Sequence, residues 1–324
     1  MPLPLDNDAE QYLRLRRQQS VLVGGADTLD PVALRDEERA LRARYGHGPQ
    51  MHRETLVKAH GGIPRHFILD PAEAPLGELI HFHGGGWVMG EPEDYLAVCR
   101  ALAKASGWRV VVPDYRKAPE HPFPAGLDDC RAIVGERLRV RDAGGPDGSL
   151  PLAVGGDSAG GNLAAVITAE RAATDRDALA AQVLITPVLD SDLDRPSYRD
   201  PGRQLTLTRD AMAWFWDQYH PRGPRVDPAL APLRSPHLAA LPTTVFISVG
   251  TDVLRSEGEA YLALLADAGV DVRHREFAGQ LHGFFQLHNV MAASTQAVDT
   301  IAEELRAIAR ASQRTNPTHT GGLS

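Results

Sequence analysis

The sequence predicts an α/β fold in which a largely parallel sheet is covered by helices on both faces. Three observations carry that prediction. Strand candidates at 54–58, 65–69, 78–83, 109–114, 152–157, 182–186, 243–249 and 270–277 mostly alternate with helical stretches, and such alternation builds a parallel sheet from strand–helix–strand units. The runs Leu152-Ala153-Val154 and Thr243-Thr244-Val245-Phe246-Ile247-Ser248-Val249 are apolar enough to be buried strands. Finally, Gly156-Asp157-Ser158-Ala159-Gly160 lies where an apolar run passes into the helix-like run Leu163 to Ala172, on a strand-to-helix turn. A chain of 324 residues can bury a large core as one α/β domain with an accessory element.

Taken in order, residues 1–50 read as helical and highly charged, with Tyr12, Leu13 and Leu15 early and Pro31 to Arg44 later. Pro92 to Ser106 fits a helix opened by a proline in its first turn and closed by Gly107. Within it Cys99 shares an apolar stripe with Tyr95, Val98 and Leu102, and further on Cys130 shares one with Leu127, Ile133 and Val134, so both thiols read as buried. Residues 187–236 break the alternation, with repeated prolines around one aromatic helix, Leu205 to Tyr219, that holds Trp214, Phe215 and Trp216. Segment 254–268 places Leu254, Tyr261, Leu262 and Leu265 on one helical face and ends at Gly269. Residues 293–311 form a last amphipathic helix through Val298, Ile301, Leu305 and Ile308, and Gln313 to Ser324 read as a disordered polar tail.

Composition excludes several classes of function. Formal net charge is −8 without a basic run, which argues against nucleic acid as a partner. No stretch approaches the length of a membrane-spanning helix, and the acidic opening Met1 to Glu10 lacks the apolar region of a signal peptide. With only two cysteines, both read as structural, a cytoplasmic location is expected. No metal or cofactor is expected.

The chemistry centres on Ser158. A sharp strand-to-helix elbow can expose a serine hydroxyl at the end of a parallel sheet, where it can act as a nucleophile. Alone, the pattern is weak, because a glycine-rich turn before a helix can also cradle a phosphate. The partner motif is His83-Gly84-Gly85-Gly86-Trp87, directly after the strand candidate Glu78-Leu79-Ile80-His81-Phe82. Consecutive glycines leave backbone N–H groups unobstructed and able to receive the negative oxygen that forms when a carbonyl is attacked. In this pairing of motifs the donors expected are the amides of Gly84, Gly85 and Ala159.

A serine hydroxyl needs a base to take its proton and an acid to orient the base. Asp252 stands just past the strand candidate 243–249, and His282 follows the candidate 270–277, both at carboxyl ends of strands where catalytic groups gather. Rivals for the acid are Glu257, one helical turn further on, and Asp190, Asp192 and Asp194 after the strand Val183-Leu184-Ile185. Rivals for the base are His83, His274 and His288.

These segments together resemble the bacterial branch of the hormone-sensitive-lipase family of α/β-hydrolase esterases. The matching stretches are His83 to Trp87, Gly155 to Asn162, Asp252-Val253-Leu254-Arg255 and His282-Gly283-Phe284. Asp114 to Ala125 matches the family's Tyr-Arg-x-Ala-Pro-Glu segment. Two departures stand out: Val253 and Ser256 replace the usual proline and second acid of the acid motif, and Lys117 replaces a common leucine. The resemblance implies an α/β-hydrolase fold with an eight-stranded, mostly parallel sheet and a helical cap. The cap would comprise residues 1–50 and 187–236, and the catalytic core 51–186 and 237–312. It also implies hydrolysis of short-to-medium acyl esters, with Trp87, Asp157, Trp214, Phe215 and Phe284 near the substrate, and a homodimer. An amidase or deacetylase, a lactonase, and a binding protein that kept the pocket without the chemistry remain open from the sequence.

Overall fold

The computed structural model describes residues 4–17, 29–144, 148 and 150–315. Part of the stretch read for a targeting signal, residues 1–3, and most of the expected tail, residues 316–324, lie outside the described residues.

Eight strands form one sheet: β1 (Arg53–Val57), β2 (His66–Asp70), β3 (Glu78–Phe82), β4 (Arg109–Pro113), β5 (Leu152–Asp157), β6 (Ala181–Ile185), β7 (Thr243–Thr251) and β8 (Val272–Leu281). Their order is β1-β2-β4-β3-β5-β6-β7-β8. Only β2 runs antiparallel to its neighbours β1 and β4; every other pairing is parallel. The parallel run therefore brings the carboxyl ends of β3, β5, β7 and β8 to one side of the sheet, where the segments carrying the candidate residues begin.

Nine helices among the described residues complete the fold: α1 (Asn7–Arg17), α2 (Pro31–Tyr45), α3 (Pro92–Ser106), α4 (Ala125–Asp142), α5 (Ala159–Thr174), α6 (Pro196–Arg199), α7 (Arg209–Tyr219), α8 (Arg255–Asp267) and α9 (Ala292–Thr315). The two faces of the sheet are separate apolar cores, as the period-2 geometry of a strand requires. Leu79, Val110, Ala153, Val183 and Val245 pack with Val98 and Leu102 of α3 and Ile301 and Leu305 of α9. Their neighbours Ile80, Val111, Val154, Leu184 and Phe246 face the other way, onto Ile133 of α4, Leu163 and Ile167 of α5, and Leu265 of α8. Cys99 and Cys130 are free and buried, one in each core, and burial pushes both thiols up.

Helix α3 begins at Pro92 and stops at Gly107, whose φ of 73° turns the chain out of the helix while its N–H donates to Ala103 O. Some boundaries differ from expectation. Helix α7 starts at Arg209, not Leu205, because Thr208 caps it, its hydroxyl accepting from Ala211 N. Helix α9 runs through Gln313 and Arg314 to Thr315, so these residues are helical rather than part of a disordered tail.

Helix α1, expected in a cap, belongs to the core. Ala9 and Leu13 join the α3–α9 layer, Asp6 N donates to Gly279 O, and Gln280 Nε2 donates to Asp6 and Asp8. Helix α2 is held chiefly by charge: Arg35 to Glu120, Arg39 to Glu91, and Arg42 to Glu91 and Asp94. Among the described residues no helix is long and apolar enough to cross a membrane.

At the opposite end of the sheet from the candidate residues, the buried Glu78 carboxylate accepts two hydrogen bonds of 2.6 Å from Arg137 and one of 3.2 Å from Arg109, which also holds Asp70 at 2.6 Å. Breaking a buried ionic network by removing one member costs far more than breaking a surface pair. Replacing Glu78 by alanine takes away a counter-charge shared by two buried guanidiniums and should lower stability by about 3–5 kcal/mol in chemical denaturation. The surface pair Arg14–Glu10, treated the same way, should cost less than about 1 kcal/mol.

Candidate active site

Ser158 sits between the end of β5 and the start of α5, with φ 54° and ψ −119°. A non-glycine residue in that region stores roughly 1–3 kcal/mol of strain and persists only when its surroundings fix it. Here they do: Ser158 N donates to Ile185 O at 2.9 Å, and Ser158 O accepts from Asn162 N and Val188 N, both at 3.1 Å. The glycine two residues on is demanded by a close approach. A β-carbon at Gly160 would run into the carbonyl oxygens of Phe82 and His83, so only glycine lets the first turn of α5 sit against the His83–Gly86 loop.

The strand ends bring three distant side chains into line. His282 Nε2 lies 2.9 Å from Ser158 Oγ, and His282 Nδ1 lies 2.9 Å from Asp252 Oδ2. Asp252 stands one residue past β7 and His282 one past β8, and His282 N donates to Thr251 O at 3.2 Å. The other oxygen of Asp252 accepts from Leu254 N at 2.9 Å, which fixes the carboxylate plane. Burial, the largest single influence on His282, pushes its pKa down. The nearby charge and hydrogen bond of Asp252, with the charge of Asp157 behind them, outweigh it and leave the pKa raised above the usual histidine value.

The rivals are occupied elsewhere. His274 lies within β8 and bonds Ser248 Oγ at 2.8 Å. His83 is fully buried, its Nδ1 2.7 Å from Gly84 O, and burial with the charge of Lys117 pushes its pKa down to about 4, so it stays neutral near pH 7. Asp190 is buried against Arg195 and Arg234. Glu257 is fully buried and accepts from Leu189 N at 2.8 Å; burial holds its carboxyl well above the usual range. Asp192 and Asp194 lie in the turn before α6, where Asp194 reaches Arg199 and Arg209.

The glycine loop departs from expectation at one position. Gly84 N donates to Asp157 Oδ1 and to Tyr95 Oη, both at 3.1 Å, and Tyr95 Oη in turn donates to Asp157 Oδ2 at 3.0 Å. Its amide is therefore committed to holding the loop down. The amides of Gly85, Gly86 and Ala159 make no hydrogen bond to any other described group, and Ala159 directly follows the serine. Gly86 rather than Gly84 thus joins Gly85 and Ala159 as a free donor.

The five residues expected near the substrate take different places in the fold. The Phe215 ring packs directly on Gly86, where a β-carbon would overlap it, and the half-buried Trp214 meets Phe215 edge-on at 5.2 Å. Trp87 is buried, stacked on Tyr219 at 4.4 Å and against Trp216 at 4.6 Å, so it braces the loop from behind. Asp157 is the loop's anchor. Phe284 is 1% exposed and packs on Phe277 in the α3–α9 core, away from any opening.

Sequence reasoning gave no role to Tyr95, which reads only as part of an apolar stripe, or to Asn162. The Asn162 amide donates to Val188 O at 3.0 Å and Leu230 O at 2.9 Å, clasping both ends of the 187–236 segment to α5. A separate cavity of about 410 Å³ lies behind the glycine loop, lined by Arg35, Glu38, Gly90, Tyr115, Lys117 and His121 among others, and it includes none of the three aligned residues. Lys117, one of the departures noted above, pairs there with Asp114 at 2.8 Å.

A family model described as alpha/beta hydrolase fold matches residues 79–286. The chain is 35% identical over 296 residues to the carboxylic ester hydrolase LipN of Mycobacterium tuberculosis, covering 86% of this chain and 76% of that protein. It is 32% identical over 303 residues to an ethyl acetate hydrolase of Pseudomonas putida, covering 92% and 90%. Among solved structures, the ester-hydrolase EH1AB1 from the metagenome of Lake Arreo superposes with a TM-score of 0.84 at 32% identity, covering 94% of this chain and 98% of that one. An esterase of Pyrobaculum calidifontis superposes at 0.82 with 33% identity, covering 94% and 99%. By fold, by motif and by these relatives, the chain belongs to the hormone-sensitive-lipase family of α/β-hydrolases and is a carboxylic ester hydrolase.

Proposed function

We propose that Ser158, His282 and Asp252 are the catalytic triad of this esterase, working through an acyl-enzyme with Gly85, Gly86 and Ala159 as the oxyanion donors. The observation that supports this reading is the unbroken hydrogen-bonded line from Asp252 through His282 to Ser158, 2.9 Å at each step, beside three unpartnered amides. His282 Nε2 takes the hydroxyl proton as Ser158 Oγ attacks the ester carbonyl. Asp252 keeps the proton on Nδ1 and stabilises the imidazolium that forms. The amides receive the oxygen as it becomes negative, where fixed dipoles act with little screening. Protonated His282 then gives its proton to the leaving alcohol, the acyl-enzyme forms, and the same base activates water to release the acid.

The substrate class follows from the wall above the donors. Residues 187–236 with α2 act as a cap, and Phe215 and Trp214 give the site an apolar side suited to a short or medium acyl chain. A relative named for ethyl acetate hydrolysis agrees with small acyl groups. Two buried free thiols fit a cytoplasmic location. A homodimer through the sheet edge or a nearby helix is part of the same reading.

Ser158→Ala should lower kcat by roughly a million-fold on p-nitrophenyl butyrate; retention of most of the activity would end the assignment. Only neutral imidazole accepts the proton, and the His282 pKa is raised, so kcat/KM should fall as pH drops through a value above the usual 6.5. Asp252→Asn removes the charge that raises it: the acidic limb of the profile should move to lower pH and the rate should fall on the order of ten-thousand-fold. A panel of p-nitrophenyl esters of rising chain length, run against matched anilides, should show rates highest for acyl chains of about two to eight carbons and lower for every anilide. Faster anilide cleavage would favour an amidase.

A further inference from the structure

We infer that residues 197–206 form a splint across the two loops that carry Asp252 and His282, with Ser197, Arg203 and Thr206 as positioning residues for the triad. The inference rests on the triad reading given above and adds to it. Three side chains from one ten-residue stretch of the 187–236 segment grip the backbone at the points that set the acid and the base. Ser197 Oγ donates to Val253 O, one residue after Asp252, and accepts from Ser256 N at 3.1 Å; Ser197 N donates to Ser256 Oγ at 2.9 Å, closing a reciprocal pair. Arg203 Nη1 donates to Gly250 O, two residues before Asp252. Thr206 Oγ1 donates to the carbonyl of His282 itself at 3.0 Å.

The placement of these grips distinguishes them from ordinary surface hydrogen bonds. Gly250, Val253 and His282 bracket the acid and the base, and His282 N donates to Thr251 O at 3.2 Å between the two loops. Beta-pairing of β7 with β8 carries an irregularity between Val249 and Thr251, immediately before Asp252. Pairing resumes at Thr251 opposite Leu281 and ends there, so Asp252 and His282 themselves lie beyond the ladder, and a displacement near 1 Å at a catalytic group can cost about a hundredfold in rate. The stretch is itself stiff. Gln204 Nε2 donates to Tyr198 O at 3.1 Å, Arg209 N donates to Gln204 Oε1 at 3.0 Å, and Asp200 pairs with Arg203 at 3.2 Å. Ser197 and Tyr198 are buried. A segment anchored in this way can transmit its own position to both loops.

The test removes single hydroxyls with little change of shape. In the full-length protein, Thr206→Val should lower kcat on p-nitrophenyl butyrate about tenfold, and Thr206→Val with Ser197→Ala about a hundredfold, with KM within a factor of about two. In both, the acidic limb of kcat/KM should shift to lower pH, because a loosened His282–Asp252 contact no longer holds the imidazole pKa up. Thr206→Ser, which keeps the donor, should restore both rate and limb, while thermal midpoints stay close to the parent's. Unchanged kcat and an unmoved limb in the double variant overturn the inference. A drop in kcat that follows a lowered thermal midpoint, with the limb unmoved and no rescue by serine, overturns it equally. Ser158→Ala run alongside separates the two readings. If it is inactive while the double variant is fully active, the splint fails and the triad stands; if it is active, the triad fails first.

Discussion

The strained turn at Ser158 is the constraint on which the site depends. Its φ of 54° lifts the hydroxyl out of the sheet, and the hydrogen bond to Ile185 O with those from Asn162 N and Val188 N hold it there. The same turn allows the first turn of α5 to approach the carbonyls of Phe82 and His83 closely enough that Gly160 can bear no side chain. Ser158 and the glycine loop are thus fixed relative to each other through backbone, before any side chain beyond Ser158 is considered. A helix start also presents its unpaired N–H groups to the side on which the proposed mechanism develops negative charge.

Two histidines show how environment divides labour. His83 is fully buried, near the charge of Lys117, and its pKa is held down to about 4, so it serves as a neutral hydrogen-bonding strut beneath the loop. His282 is also shielded from water, yet Asp252 at 2.9 Å and the charge of Asp157 reverse the sign of its shift. Burial alone would lower both. The carboxylate on Nδ1 makes the difference, and it leaves Nε2 as the lone-pair acceptor facing Ser158. Asp157 anchors Gly84 through its side chain while contributing to the field at His282. One buried carboxylate thus links the glycine loop to His282.

Much of the architecture was legible because it is written locally. Strand periodicity and apolar runs marked all eight strands, proline and glycine marked the ends of α3, and helical stripes marked the burial of Cys99 and Cys130. Boundaries slipped where a single side chain decided them, as at Thr208, whose cap starts α7 four residues later than its apolar pattern suggests. Helix α1 is placed in the cap by the family resemblance alone. Two small contacts, Ala9 and Leu13, with hydrogen bonds from Asp6 and Gln280, were enough to place it against the core.

What the sequence determined by itself is the set of groups that need local backbone chemistry: the glycines of the elbow and loop, the serine between them, and an acid and a histidine at the ends of successive strands. Only the tertiary structure decided which amides point outward and which are bound inward. Gly84 and Gly86 are indistinguishable as letters, yet one is tied to Asp157 and Tyr95 and the other is left free. Likewise it decided that Trp87 and Phe284 pack into cores while Phe215 covers Gly86, and that Ser197, Arg203 and Thr206 reach the loops of Asp252 and His282. The reason is physical. Residue type and spacing fix local conformation, whereas the direction of a hydrogen bond depends on where segments far apart in the chain come to rest.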